Sequence, residues 1–335
     1  MTQRAIATHD IATVHTPVLL DSVLALLEPS LFRRDKGPAR MVDCTLGMGG
    51  HTEAVLATWP HVAVIGIDRD RDAIELAQRR LKKYSDRFKA VHATYDCVDD
   101  VVQQAGWTEG ADAILMDLGV SSLQLDEDSR GFAYSRDTAL DMRMDQNSGR
   151  TAAELLNTAS LAELTRILTT YGEERFARRI AQRIVDQRNR EPLASTGQLV
   201  ELIRDAIPAP ARRTGGNPAK RTFQALRIAV NEELEILSQA IPAALSALRI
   251  GGRLVVESYH SLEDRIVKSA FRRGSQSNVP HDLPLIPQEH APYLSVLTRK
   301  AIQATPEDIE KNPRAASVRL RAVEITRPYP LARKG

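Results

Sequence analysis

An apolar run that breaks into a glycine turn, with a second apolar run beyond it that ends on a carboxylate, constrains this chain more than any other stretch. The residues are Val42-Asp43-Cys44-Thr45-Leu46-Gly47-Met48-Gly49-Gly50-His51 and, after a helix-length spacer, Val62-Ala63-Val64-Ile65-Gly66-Ile67-Asp68. They read as the front half of a nucleotide-binding βαβ unit. Glycine permits φ > 0 and lets the backbone approach a ligand closely. Asp68 follows Gly47 by 21 residues, where such folds place the acid that hydrogen-bonds a ribose.

The rest of the chain extends this pattern. Apolar strands are predicted at 41–44, 62–67, 89–92, 113–116 and 253–257, with a lead-in helix over 18–27. Helical spacing fills 71–83, where Ala73, Ile74, Ala77 and Leu81 share a face. Alternating strand and helix predicts an α/β fold with a parallel-type central sheet covered on both faces. From 126 to 220 the spacing is mostly helical with no strong strand, and Leu155, Leu156, Leu164, Ile167 and Ile180 are core candidates. Pro208-Ala209-Pro210 and Gly215-Gly216-Asn217-Pro218 close that stretch. It reads as an inserted small helical domain (126–220) in a discontinuous α/β domain (1–125 and 221–335), which resumes with Phe223. An alternating segment at 317–326 predicts a late strand.

The net charge of +2 is unevenly spread. Residues 172–221 carry eleven basic against six acidic side chains, and residues 312–335 six against one. Two basic regions on a near-neutral chain point to a polyanionic partner, although solvated helix faces give the same count. Arg175, Arg179 and Arg183 fall at i, i+4 and i+8, the spacing of one helical stripe. Two cysteines make neither a disulfide framework nor a four-ligand zinc site, and Cys44 reads as a buried thiol. No spacing suggests a metal. No leader or membrane-spanning run is expected, which places the chain in the cytoplasm.

The glycine turn alone serves NAD, FAD or S-adenosylmethionine. Three features favour S-adenosylmethionine. Asp43 precedes the turn as an acid for the cofactor's ammonium, and Leu248-Arg249-Ile250-Gly251-Gly252-Arg253-Leu254 looks like a methyltransferase strand entry. Asp117-Leu118-Gly119-Val120-Ser121-Ser122 follows the fourth strand, at the edge where open sheets bind ligands. Tyr95 is a candidate for stacking on adenine or for packing at a strand end. His51 offers its backbone N–H at a helix start.

Blocks spread in order along the chain resemble one family. They include His15-Thr16-Pro17-Val18-Leu19-Leu20, the 43–52 turn, and the 117–122 segment with Gln124-Leu125-Asp126. Further blocks are Arg130-Gly131-Phe132, Leu140-Asp141-Met142-Arg143-Met144-Asp145, Tyr171-Gly172-Glu173-Glu174 and Arg221-Thr222-Phe223-Gln224. The last are His260-Ser261-Leu262-Glu263-Asp264-Arg265 and Asn312-Pro313-Arg314-Ala315. The chain is similar to the bacterial 16S ribosomal RNA cytosine-N4 methyltransferases, the RsmH or MraW group.

The resemblance implies a Rossmann-like fold and methyl transfer to N4 of a decoding-centre cytidine in 16S rRNA, within the small ribosomal subunit. Its cofactor residues map to Gly49, Gly50, His51, Asp68, Tyr95, Asp117 and Gln124, with Asp43 and Gly47 beside them. Asp117 is the candidate to orient the target amine, helped by Ser121 and Ser122. His260 is a second candidate, with a structural histidine as the competing reading. Arg175, Arg179, Arg183 and Arg221 are the candidates for RNA phosphate. Tyr259 stands where the family carries Phe, a departure expected to touch RNA contacts more than the cofactor site. Asn217-Pro218-Ala219-Lys220 and Ala316 depart in the same way. Methylation of another amine, or RNA binding without catalysis, remain the alternatives. A homodimer is left open, since nothing in the sequence marks oligomeric state.

Overall fold

The computed structural model describes residues 17–32, 37–127, 130–212, 217–277 and 291–330. His15 and Thr16 of the first family block lie outside them, as do Gly215, Gly216 and the basic residues Arg213, Arg333 and Lys334. In chain order the elements are α1 (Leu20–Leu31), β1 (Ala39–Asp43), α2 (Gly50–Thr58), β2 (Val62–Asp68), α3 (Arg71–Arg80), β3 (Phe88–His92), α4 (Val98–Gln104) and β4 (Ala111–Asp117). Then come α5 (Ser122–Asp126), α6 (Ala152–Thr158), α7 (Leu161–Gly172), α8 (Ala177–Arg188), α9 (Thr196–Ala206), α10 (Ala209–Arg212) and α11 (Lys220–Asn231). The chain closes with α12 (Glu233–Ala247), β5 (Leu248–Ser258), α13 (Ser261–Ser275), β6 (Leu294–Val296), α14 (Pro306–Lys311) and β7 (Arg319–Ile325). Two compact units result, one of residues 1–119 with 236–335 and one of residues 120–235.

The first unit is built on a seven-stranded sheet in the order β3-β2-β1-β4-β5-β7-β6. The first five strands pair in parallel, as the alternation of strand and helix predicts. β7 and β6 depart from that expectation and add antiparallel, with α13 and α14 in the connections that lead to them. Successive residues point to opposite faces. Met41, Val64, Leu115 and Val255 pack with α1, α2 and α3 through Val23, Leu27, Val55, Leu56, Ile74 and Ala77. Val42, Ile65, Ile114 and Val256 pack with α4, α12 and α13 through Val98, Val101, Ile241, Ala244, Val267 and Phe271. Because both faces are covered, the strand sequences are continuously apolar rather than alternating. Each fully buried aliphatic side chain contributes about 1.5–3 kcal/mol.

The strand order reverses at β1, which lies between β2 and β4. Open sheets leave a crevice outside the carboxyl ends of the strands at such a reversal. Asp43, Asp68 and Asp117 are the last residues of β1, β2 and β4, and Glu257 is the last but one of β5.

The second unit has its own core of Leu155, Leu156, Leu164, Ile167, Ile180, Ile184, Leu199, Ile203, Phe223 and Leu226. Thr151, Ser160 and Ser195 cap α6, α7 and α9, each accepting from the backbone N–H three residues on. This unit is wider than the expected 126–220. It takes in α11 because Phe223, Ala225 and Leu226 bury into the helical core rather than into the sheet. Two family blocks acquire a structural reason here. Arg130, 1% exposed, donates from Nη2 to Met144 O at 2.7 Å. Asn231 donates from Nδ2 to Met142 O at 2.7 Å and accepts from Met144 N at 2.8 Å, tying that loop to α11.

Candidate active site

The glycine turn is held by the acids that flank it. Asp43 is 1% exposed, and its oxygens accept from Thr45 N at 3.2 Å and Thr52 Oγ1 at 2.7 Å. Asp68 accepts from Gly47 N at 2.7 Å through one oxygen and from Asp70 N at 2.8 Å through the other. Asp70 in turn caps α3. Gly47 and Gly49 have φ of 49° and 77°, a region open to glycine at little cost. A Cβ on Gly49 would also stand 3.0 Å from Leu81 Cδ1. The Gly49 N–H is used inside the turn, on Leu46 O at 2.8 Å. Gly50 and His51 open α2, where the first N–H groups have no intrahelical acceptor and attract anions.

Asp117 is fixed from two sides. Its N–H donates to Thr45 Oγ1 at 2.6 Å, and its Oδ1 accepts from the Tyr259 hydroxyl at 2.7 Å. Oδ2 lies 3.7 Å from His51 Nδ1. The other ring nitrogen, Nε2, is 3.2 Å from Val18 O and 3.6 Å from Glu257 Oε2. A carbonyl only accepts, so Nε2 carries the hydrogen. Glu257 is fully buried, and neither carboxyl oxygen has a hydrogen-bond partner among the described residues. Burial first, then Asp117 and Asp43, push the Glu257 carboxyl well above the usual range. Burial also raises Asp43 and Asp117, against the pull of hydrogen bonds and of His51. His51, Asp117 and Glu257 bring ligand atoms within 4.8 Å of one another. The two carboxyls face opposite ring nitrogens at 3.7 and 3.6 Å, outside hydrogen-bond reach.

Several sequence expectations change in this setting. Asp43 is enclosed at 1% exposure and faces Thr45 and Thr52, so it shapes the turn, whereas Asp68, its two oxygens likewise engaged, stays partly exposed. Tyr259, expected to bear on RNA, reaches the centre of the acid cluster. His260 caps α13, its Nδ1 accepting from Glu263 N at 3.4 Å, with Nε2 3.1 Å from Glu263 Oε1. That supports the structural reading of this histidine. Tyr95 is half-buried against the core layer of α4.

Ser121, Ser122 and Gln124 belong to the second unit. Ser121 caps α5 and exchanges hydrogen bonds with Gln124. The arginine stripe is shorter than its spacing suggests, because α8 begins at Ala177. Arg179 and Arg183 lie exposed on that helix, whereas Arg175 precedes it and stacks 5.4 Å over Phe176. Arg221 is exposed and donates to Glu173 O at 2.9 Å. Sequence reasoning overlooked Thr45, Thr52 and Glu257. The available signal was positional: Glu257 completes a series of acids at the carboxyl ends of β1, β2, β4 and β5.

The donor set fits a zwitterionic nucleoside cofactor. Free N–H groups at α2 suit a carboxylate, Asp68 a ribose diol, and the acid cluster a cationic centre. Fold and site together define a Rossmann-like methyltransferase that uses S-adenosylmethionine. The sequence profile of the MraW methylase family matches residues 12–326. The chain belongs to that family. It is 59% identical over 312 residues to the ribosomal RNA small subunit methyltransferase H of Nocardioides sp. strain JS614, covering 93% of this chain and 97% of the relative. The protein of the same name from Beutenbergia cavernae is 56% identical over 330 residues, covering 96% and 97%. Among solved structures, an rRNA methylase from Streptococcus thermophilus aligns over 93% of this chain and 99% of its own, at 12% identity and a TM-score of 0.40. Among the described residues no helix is long and apolar enough to cross a membrane.

Proposed function

We propose that this chain methylates the exocyclic N4 amine of a decoding-centre cytidine in 16S ribosomal RNA. The observation that carries the reading is Asp117, half-buried beside the glycine turn with one oxygen taken by Tyr259. The cytosine amine is a poor nucleophile because its lone pair is delocalised into the ring. A fixed carboxylate that accepts one amine hydrogen orients the lone pair and receives the proton as charge develops. S-adenosylmethionine supplies the sulfonium methyl group. Asp68 receives the ribose, Gly50 and His51 the carboxylate, and Tyr95 the adenine face. Ser121, Ser122 and Gln124 enter only through the family resemblance. The names of the relatives support small-subunit rRNA as the substrate. Labelled methyl transfer to small subunits from cells lacking the enzyme, with nuclease mapping of the label, tests the reading. Label on another base overturns the N4-cytidine assignment, and cofactor binding without transfer leaves an RNA-binding protein.

Two expectations follow for binding. Burial raises the Asp68 carboxyl to about 6, against the hydrogen bonds from Asp70 and Gly47. Below that pH the carboxyl is neutral and a weaker acceptor for a diol. Cofactor affinity is therefore expected to weaken by up to about tenfold per pH unit below about pH 6 and to level off above it. Calorimetry across that range checks this, and a flat profile removes Asp68 from the ribose contact. The exposed Arg179 and Arg183 are assigned to phosphate. Replacing both with Ala is expected to weaken RNA binding and to lower the slope of log affinity against log salt by about two. Cofactor affinity should not move, and an unchanged salt slope would clear α8 of any role in RNA binding.

A further inference from the structure

Tyr259 follows the end of β5, and its hydroxyl reaches Asp117 across 142 positions of sequence. Its backbone N–H donates to Glu263 Oε2 at 2.8 Å. Its ring lies beside Gly119, where a Cβ would stand 3.4 Å from Tyr259 Cδ2, and packs against the core layer of α1, α2 and α3. Backbone, ring and hydroxyl are thus all held. Asp117 is held equally firmly, by Thr45 at its N–H and Tyr259 at Oδ1. Oδ2 has no such donor within hydrogen-bond reach among the described residues, the nearest ring nitrogen being His51 Nδ1 at 3.7 Å.

We infer that Tyr259 is a positioning residue for methyl transfer: its hydroxyl occupies Asp117 Oδ1 and leaves Oδ2 to receive the acceptor amine's hydrogen. The inference rests on the role proposed for Asp117. As the new N–C bond forms, the sulfonium S–CH3 bond breaks with its electron pair passing to sulfur, and the amine proton passes to Oδ2. From there it leaves to water, since the Asp117 side chain is 26% exposed. The groups facing Asp117 are His51 from α2, Asp43 from β1, Glu257 and Tyr259 from β5 and its end, and Glu263 from α13. Burial raises the Asp117 carboxyl, while His51 and the Tyr259 hydrogen bond lower it. Burial and the neighbouring acids hold the Tyr259 proton firmly, so the phenol acts as a donor throughout the working range.

Tyr259→Phe keeps the ring and removes the donor. Single-turnover rates against pH are expected to show the acidic limb displaced upward by about one unit, the size of a lost hydrogen bond to a charged group. Cofactor affinity by calorimetry and RNA KM should stay within about twofold, as a positioning role requires. Site-specific 3-fluorotyrosine at 259, a more acidic phenol and a stronger donor, should displace the limb downward. A limb that superimposes on the parent's in both variants overturns the inference. Asp117→Asn is measured in parallel: an active Asp117→Asn enzyme overturns the proton-acceptor reading itself. An inactive one, with unmoved Tyr259 variants, overturns only the role of Tyr259.

Discussion

Asp117→Asn is expected to slow the methyl-transfer step by about 10²–10⁴-fold at saturating cofactor and RNA. The amide matches the carboxylate in size, and its oxygen still accepts from Tyr259 at the position of Oδ1. The Thr45 contact to the backbone N–H of this residue is untouched, so the local geometry survives. What it loses is the capacity to take a proton. The neutral amide also escapes the burial that disfavours a charge at this position, so the variant should fold at least as well. Single-turnover transfer of labelled methyl, with cofactor affinity measured separately, distinguishes loss of chemistry from loss of binding. A parental rate would remove Asp117 from the proton transfer.

Glu257→Gln is expected to alter the pH dependence of stability. In the native chain the Glu257 carboxyl is fully enclosed and retains its proton above the usual range. The unfolded chain loses that proton near the ordinary value of 4.5. The native state therefore binds the proton more tightly. The associated stability is fully present below the unfolded value and is lost as pH rises toward the folded one. The loss is about 1.4 kcal/mol per pH unit while the native state stays protonated. Glutamine is neutral at every pH and carries no such slope. The variant should match the parent near about pH 5 and gain on it as pH rises above that, as read by urea unfolding. Parallel curves for parent and variant would mean that Glu257 is already ionised in the folded chain.

The parts of this molecule that sequence revealed are those with local causes. Five parallel strands announced themselves as apolar runs, and the turn at 47–50 did so through its glycines. β6 did not, because three residues among prolines carry too little pattern and the strand exists only by pairing with β7. α11 looked like a return to the sheet, since an amphipathic helix does not say which core will receive Phe223. The same limit governs the site. Spacing identified Asp68 and Asp117 at strand ends but could not show that Asp43 faces inward to Thr45 and Thr52. Tyr259 was misjudged because its partner lies 142 residues away. The apparent stripe of three arginines shortened because the helix starts two residues after the first of them.

The acid at the end of β4 also bears on turnover. Alkyl transfer turns a sulfonium into an uncharged thioether, so one positive charge disappears with each cycle. The Asp117 carboxyl, 26% exposed, attracts the charged reactant when ionised and has no such hold on the neutral product, whereas the enclosed Glu257 keeps its proton and exerts no such pull. The bias needs no moving part, only the terminus of one strand in a rigid sheet.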